Sequence, residues 1–550
     1  MSGAHACPAL LLFKHIETMP QSPKETIQSG QAILGIEFGS TRIKAVLIDQ
    51  DNKPIAQGDH EWENQLIDGL WTYSTEAVWQ GLQDCYSKMR ADVRARYDIE
   101  IETLAAIGIS AMMHGYMAFN AQGDILVPFR TWRNTNTGAA AAKLSELFVY
   151  NIPLRWSISH LYQCILDGEK HVGDIDFLTT LAGYAHWQLT GQKVLGIGDA
   201  SGMIPVDPTT KDYNQTMVDK FDALVADKHY PWRLRTILPK VLTAGQSAGV
   251  LTAEGAKKLD VSGHLKAGIP LCPPEGDAGT GMTATNAVKQ RTGNVSAGTS
   301  SFSMIVLEKD LTKPYEVIDM VTTPDGSLVA MVHCNNCTSE LNAWVGLFKE
   351  YQQLLGIPID MNEIFGKLYN HAMTGAADCG GLVSFNFISG EPVAGLTDGR
   401  PLFVRSANDK FNLANFMRAN LYASVAVLKL GNDILFKEEK IKVDRITGHG
   451  GLFKTKGVGQ RVLAAAINSP ISVMETAGEG GAWGIALLAS YLVNNAQQLS
   501  LADWLDKSVF AGDTGIEVTP TAEDVEGFNA YIENYKRALA IEKAAVENKN

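Results

Sequence analysis

No stretch of the 550-residue sequence holds the roughly 18 consecutive apolar residues that a membrane helix requires. The longest early apolar run, Ala9 to Phe13, is also too short for the core of a signal peptide. Basic residues are outnumbered: 47 Lys and Arg stand against 60 Asp and Glu, a formal net charge of −13 at pH 7. A broad nucleic-acid surface needs a net basic footprint, so that class is excluded. A small anionic ligand is not, because backbone N–H groups and a hydrated Mg²⁺ can hold a nucleotide. Cysteine is scarce. The seven are odd in number and scattered, which predicts free thiols in a reducing cytoplasm. Proline is 20 against glycine 51, a balance that favours tight turns between strands. Hydrophobic residues at 45% and charged residues at 19% are globular values, so wholesale disorder is excluded. The length suffices for two large α/β domains.

Residues 1–32 mix Ser, Gln, Lys and Pro without a sustained period and read as a disordered extension. From Ile33 the pattern is orderly. Ile33 to Phe38, Ile43 to Asp49 and Pro54 to Trp62 predict three antiparallel strands with short turns. A helix over Ser74 to Tyr97 and a buried strand over Leu104 to Ile109 follow. The order returns near residue 293. Strands are predicted at Gly293 to Ala297, Ser303 to Glu308, Tyr315 to Met320 and Leu328 to His333. Helices at Leu341 to Leu355 and Leu413 to Leu435 precede a strand at Arg445 to Thr447. One plan occurs twice, with a boundary near residue 285.

The first turn of each copy is small and rich in hydroxyls: Gly39, Ser40 and Thr41 in one, Gly298, Thr299, Ser300 and Ser301 in the other. Such turns bring backbone N–H groups close to a phosphate. Each alone is equally an ordinary hairpin; as a matched pair they predict two loops gripping one polyphosphate across a cleft. Glu37 lies inside the first strand, where a charge needs a cation or a donor, and Mg²⁺ on a nucleotide would serve through water. Gly448 to Gly451 follows a strand, and its glycines, Gly450 and Gly451 among them, let a ribose or flat ring lie against the backbone. Gly478 to Ala482 opens a helix with residues small enough for close packing or an adenine wall.

The ordered series Gly35 to Thr41, Met113–His114–Gly115, Glu275–Gly276–Asp277, Gly298 to Ser300 and Gly448 to Gly451 resembles the FGGY carbohydrate kinases. The likeness runs from Ile33 to the 490s. It implies an α/β fold of two ribonuclease-H-like, actin-like ATPase domains around a central cleft, each a mixed five-stranded sheet flanked by helices. Residues 33–285 would form the sugar-binding domain, 286–500 the ATP-binding domain and 501–550 a helical tail. The cofactors implied are ATP and Mg²⁺, and the γ-phosphoryl group would pass to a sugar hydroxyl. Met113, His114 and Gly115 look like the Met-His-Gly of xylulokinases, and a His can bond two hydroxyls. Trp132 and Asn134 fall in the segment that lines the sugar pocket. Asp277 falls at the family's general base, a carboxylate that orients the hydroxyl and takes its proton. It is also a sound helix N-cap. The partners implied are a small sugar and ATP, with no nucleic acid and no membrane, and a homodimer is compatible.

Three departures from the family pattern stand out. Glu37 replaces an Asp, Trp132–Arg133–Asn134 replaces Trp-Asn-Asp, and Pro273–Pro274–Glu275–Gly276 replaces a run of glycines. A ketopentose such as xylulose is the expected acceptor, with ribulose, other ketoses and polyols open. Two rivals are an actin-like ATPase with no sugar acceptor and a sugar sensor without turnover. Gly198 to Gly202 reads as lining of the cleft. Cys334 and Cys337 form a C-x-x-C without a second pair of ligands, so buried packing is expected rather than zinc. Asn335, Asn336 and Ser339 are expected to reach the cleft. The tail from Glu533 reads as a solvated helix.

Overall fold

The computed structural model describes residues 21–358, 360–474, 476, 480–512 and 515–549. The first sheet has five strands: β1 (Ile33–Phe38), β2 (Arg42–Ile48), β3 (Pro54–Glu61), β4 (Ala106–Ala111) and β5 (Glu275–Gly276). Their spatial order is β5-β4-β1-β2-β3, with β1 antiparallel to β2 and parallel to β4. The second sheet repeats that order. It contains β6 (Thr292–Ala297), β7 (Ser301–Val306), β8 (Asp319–Thr322), β9 (Leu328–Cys334), β10 (Arg445–His449), β11 (Ile471–Val473) and β12 (Ile516–Val518). The run β9-β7-β6-β10-β11 matches the first sheet strand for strand, and β8 and β12 extend it at its two edges. The sheet expected to have five strands therefore has seven. Of the run from Tyr315 to Met320, only Asp319 and Met320 enter a strand, β8, and it is an edge strand on β9.

Three boundaries differ from those expected. Residues 21–32 are not disordered: helix α1 (Pro23–Gln28) carries a capping box between Ser22 and Glu25, has Pro23 in its first turn and buries Ile27. Residues 1–20, with Cys7, lie outside the described residues. Helix α2 (Thr75–Tyr97), capped by Ser74, packs behind β2 and β3, as its pattern predicts. Helix α3 (Asp277–Ala284) leaves the first sheet directly from β5. Helices α4 (Leu413–Asp433) and α5 (Val458–Ile467) cover the second sheet. The last two differences concern α6 (Gly480–Asn494) and α7 (Ala522–Glu547).

Although α6 follows the second sheet in sequence, it packs on the first, against β1, β4 and α3. The reason is a groove of missing side chains. Gly35 and Gly108 are register partners on β1 and β4. A Cβ at Gly35 would stand 2.0 Å from the Ala482 carbonyl oxygen, and one at Gly108 would stand 2.6 Å from that of Ile485. On the helix, a Cβ at Gly484 would stand 2.0 Å from the Thr280 carbonyl oxygen in α3. Trp483 Nε1 and Ser490 Oγ also bond the Asn52 turn between β2 and β3, at 2.9 and 2.6 Å. Residues 480–510 thus belong to the first core, not the second. The helix α7 is not a free tail, because Phe528, Tyr531 and Tyr535 are buried in the second core. Beyond Glu533, Glu542 is buried as well and its carboxylate accepts from the Arg400 N–H at 3.0 Å.

Candidate active site

A cavity of about 420 Å³ opens between the two sheets. From the first half it is lined by Glu37, Ser40, Met112, Met113, His114, Trp132, Arg155, Asp277, Ala278, Gly281, Ala284 and Thr285. From the second come Asn294, Ser300, Phe302, Met331, His333 and His449, and Gly480 and Gly481 of α6 close it.

Asp277 is the first residue of α3, and its Oδ1 accepts from the Met113 N–H at 3.2 Å. Burial pushes its carboxyl up to about 6. Glu37 leaves β1 on the face that carries Gly35, as the two-residue period requires. Burial, and then the charge of Asp277, raise Glu37 to about 7. A Cβ at Gly481 would fall 2.2 Å from Glu37 Oε1, so the glycine makes room for this carboxylate. Two more buried acids lie behind. Asp199 accepts from Thr180 Oγ1 at 2.6 Å, and burial raises it to about 7. Glu275 accepts from the N–H groups of Gly198 and Asp199 at 3.2 and 2.9 Å, and burial and then Asp199 raise it to about 8.

His114 has a left-handed φ of 68° and is followed by Gly115 at 87°. This reversal aims the imidazole at the cavity. Its Nδ1 lies 3.0 Å from the Gly202 carbonyl and must carry the proton, so Nε2 is an acceptor. Burial, reinforced by Arg155, holds the ring neutral, well below its ordinary range. The His114 and Trp156 rings stack with centroids 6.2 Å apart. Gly115 serves the turn: a Cβ there would sit 2.7 Å from the Arg130 carbonyl oxygen.

The first phosphate loop is pinned by aromatic donors. Trp62 Nε1 donates to the Gly39 carbonyl at 2.7 Å, Tyr73 Oη to the Ser40 carbonyl at 2.6 Å and Trp132 Nε1 to Ser40 Oγ at 3.2 Å. The second loop is pinned likewise. The Gly298 carbonyl accepts from the N–H and Oγ1 of Thr338, and the Thr299 carbonyl from the Cys337 N–H. Carbonyls are thereby occupied and donors kept. Among the described residues nothing takes the N–H groups of Ser40, Thr41, Thr299 or Ser300. Such a pair of N–H nests suits an anion. Of these loops only Ser40 and Ser300 reach the cavity; Gly39, Thr41, Gly298 and Thr299 adjoin it. Gly450, at φ 101°, and Gly451 lie against Ala297 of β6, and it is His449 that lines the wall.

Asn134 is not in the pocket. Its Oδ1 accepts from the Trp71 N–H at 2.9 Å, and its Nδ2 donates to the carbonyls of Trp71 and Thr131 at 2.8 and 3.0 Å. All of its hydrogen bonds are used in fastening a loop. Asn134→Ala should therefore lower stability by about 2–4 kcal/mol by leaving buried backbone groups unpaired, with acceptor preference unchanged. Thermal melting beside acceptor KM values checks this; a shift in KM without loss of stability would return Asn134 to the pocket.

Asn335 and Asn336 bond the segment 389–391 rather than the cleft. Cys334 and Cys337 are buried free thiols, as packing predicts. The neighbouring His333 faces the cavity instead, hidden in sequence by that motif. Gly478 and Glu479 lie outside the described residues; Gly480 to Gly484 serve close helix packing.

The N-terminal domain model of the FGGY family of carbohydrate kinases matches residues 32–282, and the C-terminal domain model matches residues 293–493. The chain belongs to the FGGY family of carbohydrate kinases. This FGGY chain is 21% identical to a xylulose kinase of Escherichia coli over 292 residues, 52% of this chain and 56% of that protein. It is 24% identical to an Escherichia coli autoinducer-2 kinase over 305 residues, 52% of this chain and 53% of that protein. The chain thus spans about half the length of the curated relatives it matches. In fold it is similar to a ligand-bound xylulose kinase of Lactobacillus acidophilus, with a TM-score of 0.75, 17% identity and coverage of 94% and 99% of the two chains. No helix among the described residues is long and apolar enough to cross a membrane.

Proposed function

We propose that this FGGY chain transfers the γ-phosphoryl group of ATP to a hydroxyl of a ketopentose such as xylulose, with Asp277 as general base. One observation carries the reading. The half-buried Asp277 carboxylate lines a cavity that joins a wall of the His114 imidazole and the Trp132 ring to two loops with open N–H donors. A sugar hydroxyl is a poor nucleophile until a carboxylate orients it and takes its proton. The N–H groups of Ser40 and Thr41 would receive phosphate oxygens from one side and those of Thr299 and Ser300 from the other. His114 Nε2 would accept from a sugar hydroxyl, and the Trp132 ring offers a face to the carbon chain.

The residues present fit Mg²⁺ on the nucleotide: Glu37 and Asp277 are two raised, half-buried carboxylates that line one cavity. When bound, Mg²⁺ would spread the charge of the phosphate oxygens, held through water by Glu37. The paired loops and the acceptor wall place a sugar hydroxyl beside Asp277, which favours it over water as acceptor.

The test is ADP release from MgATP across ketoses, aldoses and polyols, with a no-sugar control. Stimulation by one sugar names the acceptor. A flat response over basal hydrolysis would favour an ATPase without a sugar acceptor. The autoinducer-2 kinase relative adds that compound to the panel.

The pH profile gives a second check. The base works ionised, so activity is full above the Asp277 value and lost as pH falls through it. Acceptor kcat/KM should fall about tenfold per pH unit below about 6. A profile flat from pH 7 to pH 5 would remove Asp277 from proton transfer.

A further inference from the structure

The cavity holds one permanent cation, Arg155, on a segment to which neither sequence motif nor family pattern drew attention. Its Nη2 is ion-paired across the cleft with Asp319 of β8. Asn151 Nδ2 donates to Asp319 Oδ1 and to the Ile318 carbonyl, each at 3.0 Å, and Tyr150 Oη donates to the Met320 carbonyl at 3.2 Å. The segment 150–155 of the first half thus grips the edge strand of the second. Among the described residues, Arg155 Nε and Nη1 have no partner, although a guanidinium carries five donors. The charge of Arg155 also bears on His114 and on His333, which sits on β9 beside β8. Burial, then that charge, holds His333 near 3, so both rings are neutral.

We propose that Arg155 is a specificity-determining residue of the acceptor site, donating from its free N–H groups to oxygens of a neutral polyhydroxylated acceptor while Asp319 of the opposite domain fixes its position and cancels its charge. This rests on the kinase reading above and deepens it. The Arg155–Asp319 pair is neutral, and the rest of the cavity is acidic through Glu37 and Asp277. An anionic sugar would therefore meet net repulsion, whereas carbonyl and hydroxyl oxygens meet directed donors. Because Asp319 lies on the second domain, the donor is in place only when the two halves meet across the cleft as they do here. Recognition of the acceptor is then coupled to closure.

The experiment uses the full chain and measures acceptor kinetics at saturating MgATP for Arg155→Met, Arg155→Lys and Asp319→Asn, with neutral ketoses and aldonates as acceptors. Arg155→Met should raise the KM of the preferred neutral acceptor about 10- to 100-fold, with KM for ATP within about twofold, as loss of a charge-assisted pair predicts. Arg155→Lys should recover part of that loss. Asp319→Asn should leave the cation uncompensated and raise the ratio of aldonate to ketose kcat/KM at least about tenfold. Should Arg155→Met fail to fold, the other two variants decide the matter. An unchanged acceptor KM in the Arg155 variants, or an unchanged aldonate-to-ketose ratio in Asp319→Asn, overturns the inference alone. Wild-type protein that phosphorylates no sugar overturns the kinase reading and this inference with it.

Discussion

Asp277→Asn is expected to reduce acceptor-dependent turnover by about 10² to 10⁴-fold, the range a positioned general base supplies, while ATP affinity stays close to that of the unaltered protein. Asn keeps the shape of the side chain and can still accept the Met113 N–H at its Oδ1. It removes only the capacity to take a proton. The backbone donors of Ser40, Thr41, Thr299 and Ser300 are untouched, so the phosphate grip should persist. Removing one of two raised, half-buried acids also relieves Glu37, so the variant should fold at least as well at neutral pH. Single-turnover phosphorylation paired with nucleotide titration separates the two effects. Near-normal turnover would move the base to another carboxylate, and Glu37 is the one that faces the same cavity.

Much of this site was readable because backbone geometry dictates its residue types. Strand β1 needs a two-residue period, the phosphate loops need small hydroxyl-bearing turns, and a base at a helix start reads as Gly276–Asp277 before a small-residue run. The parts that were missed depend on pairing across long distances. Asn134 has the right sequence neighbourhood for a sugar ligand, yet its atoms are used by Trp71, more than sixty positions away. Arg155 and Asp319 acquire meaning only when two domains meet. The tail reads as solvated because α7 is polar along much of its length, and its buried aromatics, Phe528, Tyr531 and Tyr535, are few. No local pattern announces that α6 returns to the first sheet. Its glycines read equally as a nucleotide wall, and only the matching glycines Gly35 and Gly108 decide where it lies.

That return can be tested by adding one carbon. Gly35→Ala and Gly484→Ala should each destabilise the protein by about 3 kcal/mol or more, at or beyond the upper end of ordinary overpacking. The would-be Cβ atoms stand 2.0 Å from the carbonyl oxygens of Ala482 and Thr280, which are backbone atoms and cannot rotate away. The strain can be relieved only by lifting α6 off the sheet, which would expose the buried Trp483, Ile485 and Leu488. It would also withdraw Gly480 and Gly481 from the cavity and unseat Glu37. Both substitutions should therefore lower the melting temperature and the activity of the surviving protein together. Gly512→Ala, in a loop where a Cβ meets nothing within 4 Å, is the comparison for a change without a packing clash; its φ of 83° adds only backbone strain. If Gly35→Ala and Gly484→Ala melt like the unaltered protein, α6 is not seated on β1 and α3, and the wall it gives to the cleft must be rebuilt. If they lose stability and activity in parallel, one helix is both the clasp of the first domain and the floor beneath Glu37.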